Sequence, residues 1–271
     1  MAGFTTVRNN GRYFFISRLS ARQQWIYRAE MVTRAISTVL FLGIFVALWT
    51  TAYSVNPQDV MVGYTLPQIL WYLAMTETVA LSTSRIFLDI SDAVKAGDLA
   101  YTLMRPTSYP LNQVAQSLGN SAPRFIINLL TASAVIALGA GQVSGSWLGF
   151  AAFMLLAFLA LILDALIAVL IGLSAFWLEE VTPVYLIYQK LLFTVGGLFL
   201  PLEMFPTWLQ KISAWLPFRF ITNAPARMFV HFEPAGFITS LVGQIDYITI
   251  IGLLLMGIWR FAQRRMVVHC G

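Results

Sequence analysis

Between Trp147 and Trp177 the chain reads Trp147-Leu-Gly-Phe-Ala-Ala-Phe-Met-Leu-Leu-Ala-Phe-Leu-Ala-Leu-Ile-Leu-Asp164-Ala-Leu-Ile-Ala-Val-Leu-Ile-Gly-Leu-Ser-Ala-Phe-Trp177. Asp164 is its only ionisable side chain. A helix needs about 20 apolar residues to cross the roughly 30 Å hydrocarbon core of a bilayer, and this run exceeds that. Working outward, five more stretches qualify: Thr33 to Tyr53, Val62 to Thr83, Ala122 to Ala140, Val181 to Leu200 and Leu241 to Phe261. The second span is the weakest, because it holds Pro67, Gln68 and Glu77. The composition agrees. Of 271 residues, 58% are hydrophobic and 11% charged, against about 45–50% and about 25% in soluble domains. So few charges cannot coat a soluble globule. The expected fold is an all-α integral membrane protein of six transmembrane helices.

Orientation follows from the basic residues, which gather on cytoplasmic loops. Arg8, Arg12, Arg18, Arg22, Arg28 and Arg34 precede or open span one; Arg85, Lys95, Arg105 and Arg124 lie between spans two and three; Arg260, Arg264 and Arg265 close the chain. The connections Ser54–Met61 and Gly141–Ser146 have no Lys or Arg. Both termini are therefore expected in the cytoplasm. The segment after span five, with Lys211, Arg219 and Arg227, fits the bias least. No cleavable signal peptide is read at the start, so span one is expected to act as the insertion signal. With no linker or repeat, residues 1–271 read as a single transmembrane domain: an interfacial segment 1–32, a six-span core 33–261 and a tail 262–271. One cysteine, Cys270, and two histidines, His231 and His269, leave no disulfide framework or Cys/His metal site to expect. The net charge of +5 is read as topology rather than nucleic-acid binding.

Three segments carry more information. Before span one, Tyr13, Phe14, Phe15, Ile16, Leu19, Trp25, Ile26 and Tyr27 alternate with Arg18, Arg22 and Arg28, the pattern of a helix lying in the headgroup layer; a disordered basic tail is the alternative. Between spans two and three, Ile86, Phe87, Ile90, Ala93 and Val94 share a helical face, with Asp89, Asp92 and Lys95 on the others. Gly97 suits the end of that helix, Asp98 the start of the next turn, and Pro106 its stop. After span five, Pro201, Pro206 and Pro217 break the chain into short pieces. Trp208, Leu209, Ile212, Trp215 and Leu216 make an apolar face too short to span, expected to lie in the outer interface or to dip in as a re-entrant hairpin.

Together these resemble the type-2 ABC exporter permeases. Gly97-Asp-Leu-Ala-Tyr-Thr-Leu-Met-Arg-Pro106 is similar to the G-x-L-x-x-x-L-x-R-P loop of a bacterial branch of that superfamily, and the Pro201…Pro217 run resembles its external re-entrant helices. The resemblance implies a bacterial inner-membrane permease without its own ATPase. It implies a partner ATPase dimer that holds ATP and Mg, and a second permease as homodimer or heterodimer. It also implies that Ile86, Phe87, Asp89, Ile90, Asp92, Lys95, Gly97, Asp98, Arg105 and Pro106 form the ATPase-coupling segment. Consistently, the chain contains no G-x-x-x-x-G-K-[ST] motif. No catalytic, cofactor or metal site is expected in it.

Three carboxylates fall inside the spans: Glu77, Asp164 and Asp246. Acidic groups in hydrocarbon cost several kcal/mol and mark pathways or structural partners; Arg34, Arg124, Lys190 or a nearby Ser or Thr are the partners the sequence offers. Trp25, Trp49, Tyr53, Tyr64, Trp147, Trp177, Tyr185 and Trp259 are placed as an interfacial belt. A secondary transporter is the alternative, against which no inverted repeat is visible. A membrane-embedded enzyme is a third, against which no catalytic constellation sits beside a span. A lipid-linked molecule, peptide, drug or glycan all stay open as substrate.

Overall fold

The structure, a computed structural model, describes residues 4–26, 28–55, 60–61, 63–99, 108–140 and 145–269. Its described elements are α1 (Phe4–Ile26), α2 (Arg28–Val55), a two-stranded antiparallel ribbon of β1 (Val60–Met61) and β2 (Tyr64–Thr65), α3 (Leu66–Ala80), α4 (Ile86–Lys95), α5 (Tyr109–Ala140), α6 (Trp147–Leu173), α7 (Thr182–Thr194), α8 (Thr207–Ala214), α9 (Phe218–Ile221), α10 (Asn223–Val230) and α11 (Pro234–His269).

Four of the described helices are long and apolar enough to cross a membrane: α2, α5, α6 and α11. The other two expected spans are shorter. α3 has 15 residues and α7 has 13, about 22 and about 20 Å at 1.5 Å per residue. Each local cause is visible. Pro67 fits the first turn of α3 and the ribbon occupies the residues before it. α7 stops at Thr194, and Gly197 then turns with φ +75°. The long helices overrun their expected bounds: α5 begins well before Ala122, and α11 runs from Pro234 through the expected tail to His269.

α6 is the central helix. Buried residues make up 61% of its spanning window, against 11% for α2 and for α11, so the latter two turn most of their surface outward. α3 is sequestered as deeply: Ile69 through Val79 are buried without interruption. A short span inside a membrane is tolerable when protein rather than lipid surrounds its ends.

The chain folds with two distinct ends. At one, Arg124 on α5 reaches Gln24 of α1, Glu30 of α2 at 3.5 Å and the Thr83 carbonyl after α3. Lys95 of α4 meets Glu180, between α6 and α7, at 3.3 Å. Trp177 stacks on Phe261, and Tyr109 on Trp259. At the other, the Tyr53 hydroxyl donates to the Tyr64 carbonyl, and Arg227 pairs with Glu203 at 3.0 Å. Gly145 meets the Phe229 ring. The loops poor in Lys and Arg thus share one end with the segment after α7. Arg227 is paired there with Glu203.

The break after α7 is satisfied carbonyl by carbonyl. Ser213 donates to Val195 O (2.7 Å), Thr222 to Gly196 O (2.7 Å), Tyr72 to Gly197 O and Thr76 to Leu198 O (2.9 Å). Asn223 in turn donates to the Tyr72 hydroxyl at 3.0 Å. An unpaired carbonyl in such surroundings would cost several kcal/mol. Four side chains from α3, α8 and the α9–α10 junction therefore take over the role of the missing helical bonds.

Candidate functional site

α4 is held by an apolar face and presents a polar one. Ile86, Phe87 and Ile90 are at most 2% exposed. Phe87 stacks on Tyr185 with centroids 3.9 Å apart, and Ile90 lies against Gly172 of α6, where an added Cβ would come within 2.8 Å of it. These three side chains face the bundle, so any effect they have on a partner passes through packing. Asp89, Asp92, Lys95, Ala96, Gly97 and Asp98 are exposed. The helix ends in a Schellman pair, Gly97 N–H to Val94 O and Asp98 N–H to Ala93 O, with Gly97 at φ +76°. Arg105 and Pro106 lie outside the described residues. Beside α4, Glu180 accepts hydrogen bonds from the Thr182 hydroxyl (2.7 Å) and amide (3.2 Å). Those bonds, helped by Lys95, hold its carboxyl down at about 2.

A cavity of about 230 Å³ opens between α2, α3, α6 and α7. Glu77 and Asp164, each 3% exposed, both line it, with Tyr185, Tyr188, Phe193 and Phe199 among the other walls. Tyr188 donates to Asp164 at 2.6 Å. Glu77 Oε1 has no hydrogen-bond partner. The basic partners expected for these carboxylates are engaged elsewhere. Arg34 binds Glu30 at 2.7 Å, Arg124 binds the network above, and Lys190 lies over the Phe193 ring. Asp246 does not join the pair: it is exposed on α11.

A family model described as ABC-2 family transporter protein matches residues 30–269. The chain belongs to the ABC-2 transporter family. No curated protein sequence matches it. An ABC-2 permease is a membrane subunit without catalysis of its own, and membership implies pairing with an ABC ATPase and a partner permease. The family match begins at Glu30, so it takes in every described feature except α1.

In this ABC-2 permease the segment after α7 has two characters. α8 is superficial, with Trp208, Ile212 and Trp215 exposed and only Ser213 buried; the Tyr247 hydroxyl of α11 binds the Trp215 carbonyl at 2.6 Å. α10 is inserted. All its residues except Arg227 are buried, and Gly149 of α6 lies where a Cβ would come within 2.8 Å of the Phe229 carbonyl. Pro201 and Pro206 flank the 3-10 turn Leu202–Met204, and Pro217 precedes α9. Arg227, Glu203, Tyr64, His231, Phe232 and Glu233 surround a second cavity of about 370 Å³. Burial, then Arg227, pushes the His231 imidazole below its ordinary value.

The belt reading needs correction. Trp49, Tyr64, Tyr185 and Trp259 are buried within the bundle, whereas Trp25, Trp147 and Trp177 are exposed. Burial of an aromatic cannot be told from anchoring by position alone, since both put rings near span ends. The sequence also missed Tyr188 as the Asp164 partner and the Glu203–Arg227 pair, which join residues far apart in the chain.

Proposed function

We propose that this ABC-2 permease is the membrane subunit of an ATP-driven exporter in a bacterial inner membrane. It passes the membrane six times, α3 being a short passage shielded by protein and α7 a short passage with one buried face, with both termini cytoplasmic. It forms half of a translocation pathway with a second permease, identical or related. ATP and Mg belong to a separate ATPase dimer, and no cofactor binds this chain.

One observation carries the reading beyond the family: α4 is keyed rigidly to the central helix by Ile90 against Gly172, yet shows Asp89, Asp92, Lys95 and Asp98 outward. A push on that polar face reaches α6 directly. α1 adds a second support. Tyr13, Ile16, Ser17, Ser20 and Gln24 turn toward the protein, leaving Phe14, Phe15, Leu19, Trp25 and Ile26 exposed beside Arg18 and Arg22. That exposed surface suits anionic headgroups. The secondary-transporter reading has no observation in its favour.

The test is isolation of the tagged chain from its native membranes in mild detergent. An ATP-hydrolysing subunit recovered in equal amount supports the proposal. A homogeneous chain that brings no ATPase overturns it. Cysteine labelling checks the topology: Cys at Ala96 or Gln263 should react only from the cytoplasm, and Cys at Thr207 from outside.

A further inference from the structure

Buried carboxylates are costly unless something answers their charge. Asp164 has at least the Tyr188 hydroxyl. Glu77 is different. It sits within the unbroken buried run of α3, its Oε1 lacks a hydrogen-bond partner, and it borders a cavity that Asp164 also borders. Lys190, on neighbouring α7, points to the Phe193 ring instead. The cavity therefore has two acidic walls, no basic side chain among the residues lining it, and aromatic side chains of Tyr185, Phe193 and Phe199 among its other walls. Carboxylates supply a counter-charge for a desolvated cation, and the aromatic and aliphatic walls suit a hydrocarbon body.

We propose that this cavity binds an organic cation: a protonated amine on a small aromatic or alkyl body, with Glu77 as its hydrogen-bonded counter-ion and Asp164, held by Tyr188, as the second acidic wall. A volume of about 230 Å³ is below the usual 300–1,000 Å³ of drug-sized sites, so the cavity admits a small amine, or the amine-bearing end of a larger molecule. The proposal rests on the permease reading only in making the bound amine a transported substrate; binding itself needs no ATPase.

The probe is tritiated 2-phenylethylammonium, measured on the full chain purified into nanodiscs, with 2-phenylethanol as the neutral competitor of matching shape. Saturable binding is expected, with the alcohol competing at least about tenfold more weakly than unlabelled amine. Glu77→Gln should weaken binding by about tenfold or more, while Asp246→Asn, on the outer face of α11, should leave it unchanged. No saturable binding, equal competition by the alcohol, or wild-type affinity in Glu77→Gln each overturns the proposal. Should Glu77→Gln fail to elute as a single species, the amine–alcohol comparison on the wild-type chain decides alone. Failure here leaves the exporter reading standing, whereas failure to recover an ATPase sinks that reading and leaves this binding untouched.

Discussion

Gly97 and Tyr72 show how single residues set this fold. At Gly97 an added Cβ meets nothing within 4 Å, so space is no obstacle; the backbone is, at φ +76°. Gly97→Val should cost about 1–2 kcal/mol, and Gly97→Asn much less, because Asn tolerates the left-handed region. Thermal melting of the purified chain distinguishes the two; equal losses would mean that contacts, not backbone conformation, select glycine. Tyr72 donates to the Gly197 carbonyl and accepts from Asn223. Tyr72→Phe leaves both partners buried and unmet, which should cost about 1–3 kcal/mol. A melting temperature unchanged by this substitution would show that water replaces the hydroxyl there.

At the scale of elements, α4 and the inserted α10 depend on glycines in the central helix. Gly172→Ala would place a Cβ about 2.8 Å from the Ile90 Cβ, overpacking that costs about 1–3 kcal/mol. The double variant Gly172→Ala/Ile90→Ala keeps the Cβ contact but removes the Ile90 Cγ2 and Cδ1 contacts at 3.0 Å, so the two losses should be less than additive, a coupling that a double-mutant cycle reads. Additive losses would show that the two residues do not meet. His231, which caps the end of α10, packs on Tyr64, their rings 4.9 Å apart. Its folded-state affinity for a proton is lowered, by burial first and by Arg227 second. The unfolded chain therefore takes the proton more readily. The stability involved is present above the unfolded value of about 6.5 and is lost as pH falls below it. Melting between about pH 8 and pH 5 should show this loss, and His231→Gln should flatten it; an identical slope in the variant would remove His231 from the account.

Across the whole molecule, hydrocarbon-length periodicity was legible and non-local pairing was not. The run from Trp147 needed no partner to be recognised, because its length alone requires lipid. The α4 face was legible from Ile86, Phe87 and Ile90, and the turn at Gly97 from its place after Lys95. What that face packs on was not legible: Gly172 lies far along the chain, and nothing local marks it as the receiving site. The same holds for the shortness of α3 and α7. Both read as spans because apolar runs continue past their ends, through Tyr64 and through Leu198 to Leu200, where turns and carbonyl-capping side chains replace helix. Glu77 and Asp164 stood out as costly, but only the fold brings them to one cavity and sends Asp246 elsewhere.

The central claim, that an ATPase subunit engages the α4 end, has a direct measurement. A photo-crosslinking amino acid is placed at Asp92, at Asp98 or at Trp208 in the assembled complex in membranes, and adducts are identified by mass. The account predicts an ATPase adduct from positions 92 and 98 and none from 208. No adduct from either α4-end position, or an ATPase adduct from 208, would contradict it.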